Sequence, residues 1–245
     1  MNLDTYRTIV ANRLSFTREQ SSRFAKEMAG DFNPLHDVTA KRFCVPGDLL
    51  FVSLAEHFGL GRQTHIEFNS MVDESAEFEL PVSFSEKFEL TNTNSSECLT
   101  LVHDGDSVSY NERVAAMVTR YIKFSGLTFP DVLVPLMKSH DVMIHPTRPL
   151  VIYRSMMIEL SDNGIEYLKS TGSNAEAVEL ELTVSTLEVS GKKAEASLNF
   201  VFSADGTSLG NGSKRMILGG LRPYDQTTID DIVTRYNSWR DSYSE

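Results

Sequence analysis

Apolar residues crowd the stretch VPGDLLFVSLAEHFGLG, residues 45–61, until little of a helical surface is left polar. Leu49 to Val52, Leu54, Ala55 and Phe58 point in nearly every direction around the axis, which predicts a helix buried on almost all sides. Pro46 suits a first helical position, Asp48 favours the positive end of the helix dipole, and Gly59 and Gly61 end the run. Upstream, Leu14-Ser15-Phe16-Thr17 reads as a short strand, and Thr17-Arg18-Glu19-Gln20 has the Thr-x-x-Gln form of a capping box. Phe24, Ala25, Met28 and Ala29 then share one helical face, and Gly30 stands where helices commonly end in a left-handed conformation. Residues 31–45 form a connection, with a helical turn expected from Val38 to Phe43 and Asp37 as its N-cap.

From His65 the period changes. HIEFNSMV, AEFELPVSF, KFELTNT, ECLTLVHDG and AAMVTRYIKF are rich in β-branched and aromatic residues and are divided by polar turns, which predicts an antiparallel sheet following the buried helix. The order then repeats: GLTFPDVLVPLMKSH stands for a second buried helix, shortened or kinked at Pro135, and VIYRSMMIEL, AVELELTVSTLEV, KKAEASLNFVFS and SKRMILGGL read as strands. Pro46-Gly47-Asp48-Leu49-Leu50 and Pro130-Asp131-Val132-Leu133-Val134 occupy corresponding places 84 residues apart. The expected organisation is α+β, in two similar halves, 1–124 and 125–245. Ser161 to Glu176 reads as a polar insertion between strands, and a C-terminal helix follows Thr228, with Ile229, Ile232, Val233, Tyr236 and Trp239 on the side facing the sheet.

Composition narrows the partners. The 245-residue chain is 41% hydrophobic with a net charge of −11, which is ordinary for a folded protein and opposed to nucleic acid or an anionic membrane surface as main partner. Residues 1–45 carry a balance of +2 and the remainder −13, so an anionic ligand meets least repulsion at the N-terminal segment. No run approaches a membrane span and no signal peptide opens the chain, so a cytoplasmic protein is expected. Cys44 and Cys98 are too few for a disulfide framework, and both thiols are expected reduced.

The candidate chemistry lies in GDFNPLH, residues 30–36. Asp31 and His36 are five residues apart on a loop turned by Asn33-Pro34, a geometry that lets the two side chains converge. A carboxylate beside an imidazole raises its basicity. FAKEMAGDFNPLH, preceded by LSFT and followed by Pro46-Gly47 and the buried helix, resembles the signature of the MaoC-like, or (R)-specific, enoyl-CoA hydratase family. The resemblance implies a double hotdog fold, each half an antiparallel sheet wrapped around a central helix. It further implies one site per chain, lying between halves, in which Asp31 and His36 hold the water that adds to a 2-enoyl thioester. The carrier would be coenzyme A or a carrier protein, no metal or redox cofactor is needed, and a homodimer is the expected assembly.

Oxyanion stabilisation falls to the backbone N–H of Gly47 at the helix start, Asn33 fixes the loop, and Lys41 and Arg42 are candidates to meet the carrier's phosphates. Two positions depart from the family pattern: Arg42 stands where a small residue is usual, and Cys44-Val45-Pro46-Gly47-Asp48 replaces Pro-x-Ala-His-Gly. An inward Asp48 would oppose a negative charge developing beside it. A second reading is a hotdog thioesterase using Glu56 or Asp48 to activate water, and a third is a non-catalytic binder of acyl thioesters or lipid-like ligands. Cys44 reads as a buried thiol, and His65, His103, His140 and His145 show no metal-ligand spacing.

Overall fold

The capping box is present in the computed structural model, which describes residues 2–81, 87–91, 97–170 and 178–243. Thr17 accepts from the Gln20 N–H while the Gln20 side chain accepts from the Thr17 N–H, opening α1 (Arg18–Arg23). The helix continues as a wider, π-helical turn from Phe24 to Ala29 and stops at Gly30, whose φ of 67° is the left-handed cap expected of glycine. Ahead of it, β1 (Thr8–Val10) pairs with β2 (Arg13–Ser15). The turn expected over Val38–Phe43 is instead a 3-10 turn at Pro34–His36, where the Asn33 side chain accepts from the Leu35 N–H. Proline at the first position costs that turn no hydrogen bond.

The heavily apolar stretch forms α2 (Gly47–Phe58), buried from Asp48 to Ala55, with Pro46 as its N-cap rather than its first residue. The strands β3 (Leu60–Phe68), β4 (Glu77–Glu79), β5 (Lys87–Thr91) and β6 (Glu97–Val108) follow. Residues 82–84 of AEFELPVSF and 92–93 of KFELTNT lie outside the described residues.

AAMVTRYIKF is not a strand but most of α3 (Glu112–Gly126). Val114, Met117, Val118, Tyr121, Ile122 and Ser125 bury one face at helical spacing, and the Asn111 side chain caps the start by accepting from the N–H groups of Arg113 and Val114. Burial of that face overrides the β preference of its residues. This helix, packed against α2, is the central helix of the second half, and residues 124 and 125 lie inside it. GLTFPDVLVPLMKSH forms only a π-helical turn at Phe129–Leu133 and the short α4 (Val134–Ser139), with Pro130 and Pro135 in the opening positions where their missing N–H is harmless. The polar insertion carries α5 (Asp162–Lys169), capped by Ser161; residues 171–176 lie outside the described residues.

After β7 (Val142–Met143), the second half supplies β8 (Leu150–Leu160), β9 (Val178–Ser190), β10 (Lys193–Ala204), β11 (Thr207–Gly219) and β12 (Arg222–Pro223), then α6 (Gln226–Tyr243). Among the described residues one antiparallel sheet runs β5-β6-β3-β8-β11-β10-β9, with β4 lying against the β5 edge. From the β3–β8 seam, where Gln63 to Glu67 pair with Glu159 to Ser155, the strands of this sheet read alike in both directions: the first of its half to follow the central helix, then the last of its half, then the one before that. The protein is therefore an α+β double hotdog. Its main core joins α2 and α3 to residues of β3, β6, β8 and β10, and a smaller cluster sits between β9, β10, β11 and Ile229 of α6. No helix among the described residues is long and apolar enough to cross a membrane.

Where α3 meets the end of the π-helical turn, a Cβ on Gly126 would lie 1.9 Å from the Ala29 carbonyl oxygen. Gly126→Ala is expected to cost at least about 1–3 kcal/mol, because neither backbone yields without moving the other. A urea midpoint within error of wild type would contradict that close approach.

Candidate functional site

Gly30 ends its helix with the chain aimed at the α3 C-terminus, and the loop that follows is held by α6. The Tyr236 hydroxyl sits 3.2 Å from the carbonyl oxygens of both Gly30 and Gly126 and accepts from the Phe32 N–H at 3.1 Å. Burial, and next the charge of Asp31, push that phenol up.

Within the loop Asp31 Oδ1 accepts from the Asn33 N–H at 2.9 Å, which leaves Oδ2 turned to His36 Nε2, 3.6 Å away. His36 Nδ1 lies 2.7 Å from the Cys44 carbonyl oxygen. A carbonyl only accepts, so Nδ1 is the donor to it, and Nε2 is the ring nitrogen that faces the carboxylate. Asn33 donates from Nδ2 to the Val151 carbonyl oxygen at 3.1 Å and so ties the loop of the first half to β8 of the second.

Asp31, Asn33 and His36 line a cavity of about 400 Å³ that draws on both halves. Its walls are largely apolar, with Leu50, Phe68, Phe129, Val151, Met216 and Trp239 among them. Arg154 and Arg235 line it as exposed residues. Gly47 and Asp48 bring the start of α2 to the cavity, where the first N–H groups of a helix have no intrahelical acceptor. A Cβ on Gly47 would lie 2.8 Å from the Tyr153 ring, so glycine is required here for packing. Lys41 and Arg42 are exposed and do not line the cavity.

Asp48 does point inward, and it is not alone. Its carboxylate accepts from the Tyr153 hydroxyl and the Ser125 hydroxyl, each at 2.5 Å, the short separation of a hydroxyl on an ionised carboxylate. Tyr153 spends its proton on Asp48, so Tyr121, 2.6 Å away, donates to Tyr153. Lys214 of β11 donates to Ser125 Oγ at 2.6 Å and to the Ser125 carbonyl oxygen at 3.3 Å, and lies 4.3 Å from the centre of the Tyr153 ring. Burial raises the Asp48 carboxyl, opposed by Lys214 and the two hydroxyls, and it lowers the Lys214 amine, opposed by Asp48 and Asp31.

Ser125, Tyr153, Lys214 and Tyr236 were not apparent as site residues. The alternation of β11 held one signal: Gly212, Lys214, Met216 and Leu218 take successive inward positions, which places a lysine on the core face.

The remaining candidates separate cleanly. Glu56 forms an ion pair with Arg7 and does not line the cavity. Burial raises the Cys44 thiol to about 11, which keeps it protonated and unsuited to nucleophilic attack. Among the described residues no group of three His, Cys, Asp or Glu side chains is placed to hold a metal ion.

A family profile described as "Protein of unknown function (DUF3581)" matches residues 1–227. No curated protein matches the sequence. Similar solved structures include the tesB protein of Mycobacterium avium subs paratuberculosis, 9% identical with a TM-score of 0.45, covering 88% of this chain and 97% of that one. A MaoC-like dehydratase is 12% identical with a TM-score of 0.41, covering 87% and 99%. An acyl-CoA thioesterase II from Mycobacterium marinum is 8% identical with a TM-score of 0.39, covering 89% and 96%.

Proposed function

The chain belongs to the family described as Protein of unknown function (DUF3581), and we propose that it hydrates 2-enoyl thioesters, or dehydrates 3-hydroxyacyl thioesters, at the Asp31–His36 pair. The observation that carries this reading is the 3.6 Å separation of Asp31 Oδ2 and His36 Nε2 in the wall of a mainly apolar cavity. A water seated against both atoms loses a proton to the Nε2 lone pair as its oxygen bonds to C3. The imidazolium so formed is stabilised by the adjacent carboxylate. Nε2 then returns a proton to C2, and the pair is back in its starting state. The resemblance of FAKEMAGDFNPLH to the MaoC-like signature supports the assignment.

The acyl chain occupies the apolar part of the cavity, and the anionic carrier lies toward Arg154 and Arg235 rather than toward Lys41 and Arg42. The N–H groups of Gly47 and Asp48 serve the thioester oxygen. Thioester hydrolysis by Glu56 lacks a place in the cavity, and the Asp48 carboxylate already accepts two hydroxyls.

Purified protein incubated with short and medium trans-2-enoyl-CoA is expected to consume the conjugated double bond, followed as loss of ultraviolet absorbance, without releasing free thiol. Thiol release would replace this reading with thioester hydrolysis. Saturable binding with neither reaction would make the protein a binder.

A further inference from the structure

An acid at the start of α2 works against a negative charge on a substrate oxygen bound there, yet Asp48 occupies that place with 5% of its surface exposed. Its presence is accounted for by what it holds. Lys214 is 3% exposed and stands on the inward face of β11, and its ammonium reaches Asp48 through Ser125 Oγ. Two N–H groups of Lys214 go to Ser125, to the hydroxyl and to the carbonyl oxygen. An ammonium has three. Neither Ser125 oxygen takes the third, and the ammonium lies between the Tyr153 ring, 4.3 Å away, and the cavity that Lys214 lines together with Asp31, His36 and Gly47. A buried charge pair is a costly way to fill a hydrophobic wall, since apolar residues of equal volume often serve stability as well or better.

We infer that Lys214 is the electrophilic residue of the site, its ammonium donating to the thioester carbonyl oxygen and holding the negative charge that develops there when water adds to C3. Asp48, acting through Ser125, is a positioning residue that keeps the ammonium charged and aimed. The inference rests on the hydration reading and adds to it a residue from the second half of the chain. In the step itself, the C2–C3 π electrons move toward the carbonyl oxygen as the water oxygen bonds to C3. They return to C2 when it takes the proton from His36, and Lys214 keeps all of its protons throughout. A preorganised cation in a dry site is worth far more to such an oxyanion than in water.

The test reads polarisation of a bound carbonyl, which needs no turnover. A conjugated dienoyl-CoA, whose absorption moves to longer wavelength when its carbonyl is polarised, is titrated into Asp31→Asn protein so that the ligand stays unreacted. Saturable binding with a red shift is expected. Adding Lys214→Met should cut the shift to the minor part left to the Gly47 and Asp48 N–H groups and leave binding saturable; in otherwise wild-type protein the same substitution should lower kcat by about 10²–10³ with KM little changed. If Lys214→Met alone fails to fold, Asp48→Asn/Lys214→Met, which removes both charges, gives the same comparison. A red shift undiminished without Lys214 overturns the assignment, as does saturable binding without a shift, or no binding, when Lys214 is present. The hydration reading stands or falls separately, on enoyl-CoA turnover by the wild-type protein.

Discussion

Asp31→Asn is expected to lower enoyl-CoA hydration by about 10²–10⁴-fold, the range in which a positioned acid or base contributes, while leaving the thermal midpoint near that of wild type. Asparagine keeps the size of the side chain and an oxygen for the Asn33 N–H, so the loop retains the bond that orients it. What it removes is the negative charge beside His36 Nε2, 3.6 Å away, and with it the stabilisation of the imidazolium formed when water gives up its proton. His36→Ala should be at least as damaging, because the Nε2 lone pair is lost outright. It also leaves the Cys44 carbonyl without the Nδ1 donor, so its fold is checked by circular dichroism before its rate is interpreted. Turnover retained in either folded variant would move the chemistry away from this pair.

Asp48→Ala is expected to be the most destabilising of the site substitutions, by about 3–5 kcal/mol, the cost of stripping one partner from a buried charge pair. Alanine leaves the Lys214 ammonium enclosed without its carboxylate and takes the acceptor from two hydroxyls, Ser125 and Tyr153. Each unsatisfied buried group carries its own desolvation cost. The signature is coupling: Lys214→Met placed on Asp48→Ala should recover part of the lost stability, because it removes the unpaired charge. Urea midpoints of the two single variants and the double variant form the cycle that measures it. A loss below about 1 kcal/mol for Asp48→Ala, or strict additivity in the cycle, would mean that Asp48 does not compensate the charge of Lys214 through Ser125.

Several elements were readable one segment at a time. The Thr17–Gln20 box, the Gly30 stop and the all-round apolar pattern of α2 are local signals whose causes lie within a turn or two of chain. The four long strands of the second half were equally legible, since each runs for more than ten residues and β10 alternates along its whole length. α3 was not. Its β-branched and aromatic residues suit either a strand or a buried helix, and only the space beside α2 decides between them. The helical turn read at Val38–Phe43 failed for a similar reason, because Asn33 caps a turn earlier in the loop and Asp37 goes instead to Thr39.

The candidate site divides along the same line. By itself the sequence determined that an acid and a base share a short loop next to a buried helix, because five residues of chain bring Asp31 and His36 within reach of each other. Only the tertiary structure decided what surrounds them. Asp48, Ser125, Tyr153 and Lys214 are separated in turn by 77, 28 and 61 residues in the chain, and they meet because the β3–β8 seam turns both halves toward one cavity. Asp48 shows the difference most plainly: in the sequence it is an unexplained acid at a helix start, and in the fold it is the counter-charge of Lys214. Proximity along the chain specifies a pair, whereas compensation of a buried charge depends on which distant strand packs against it.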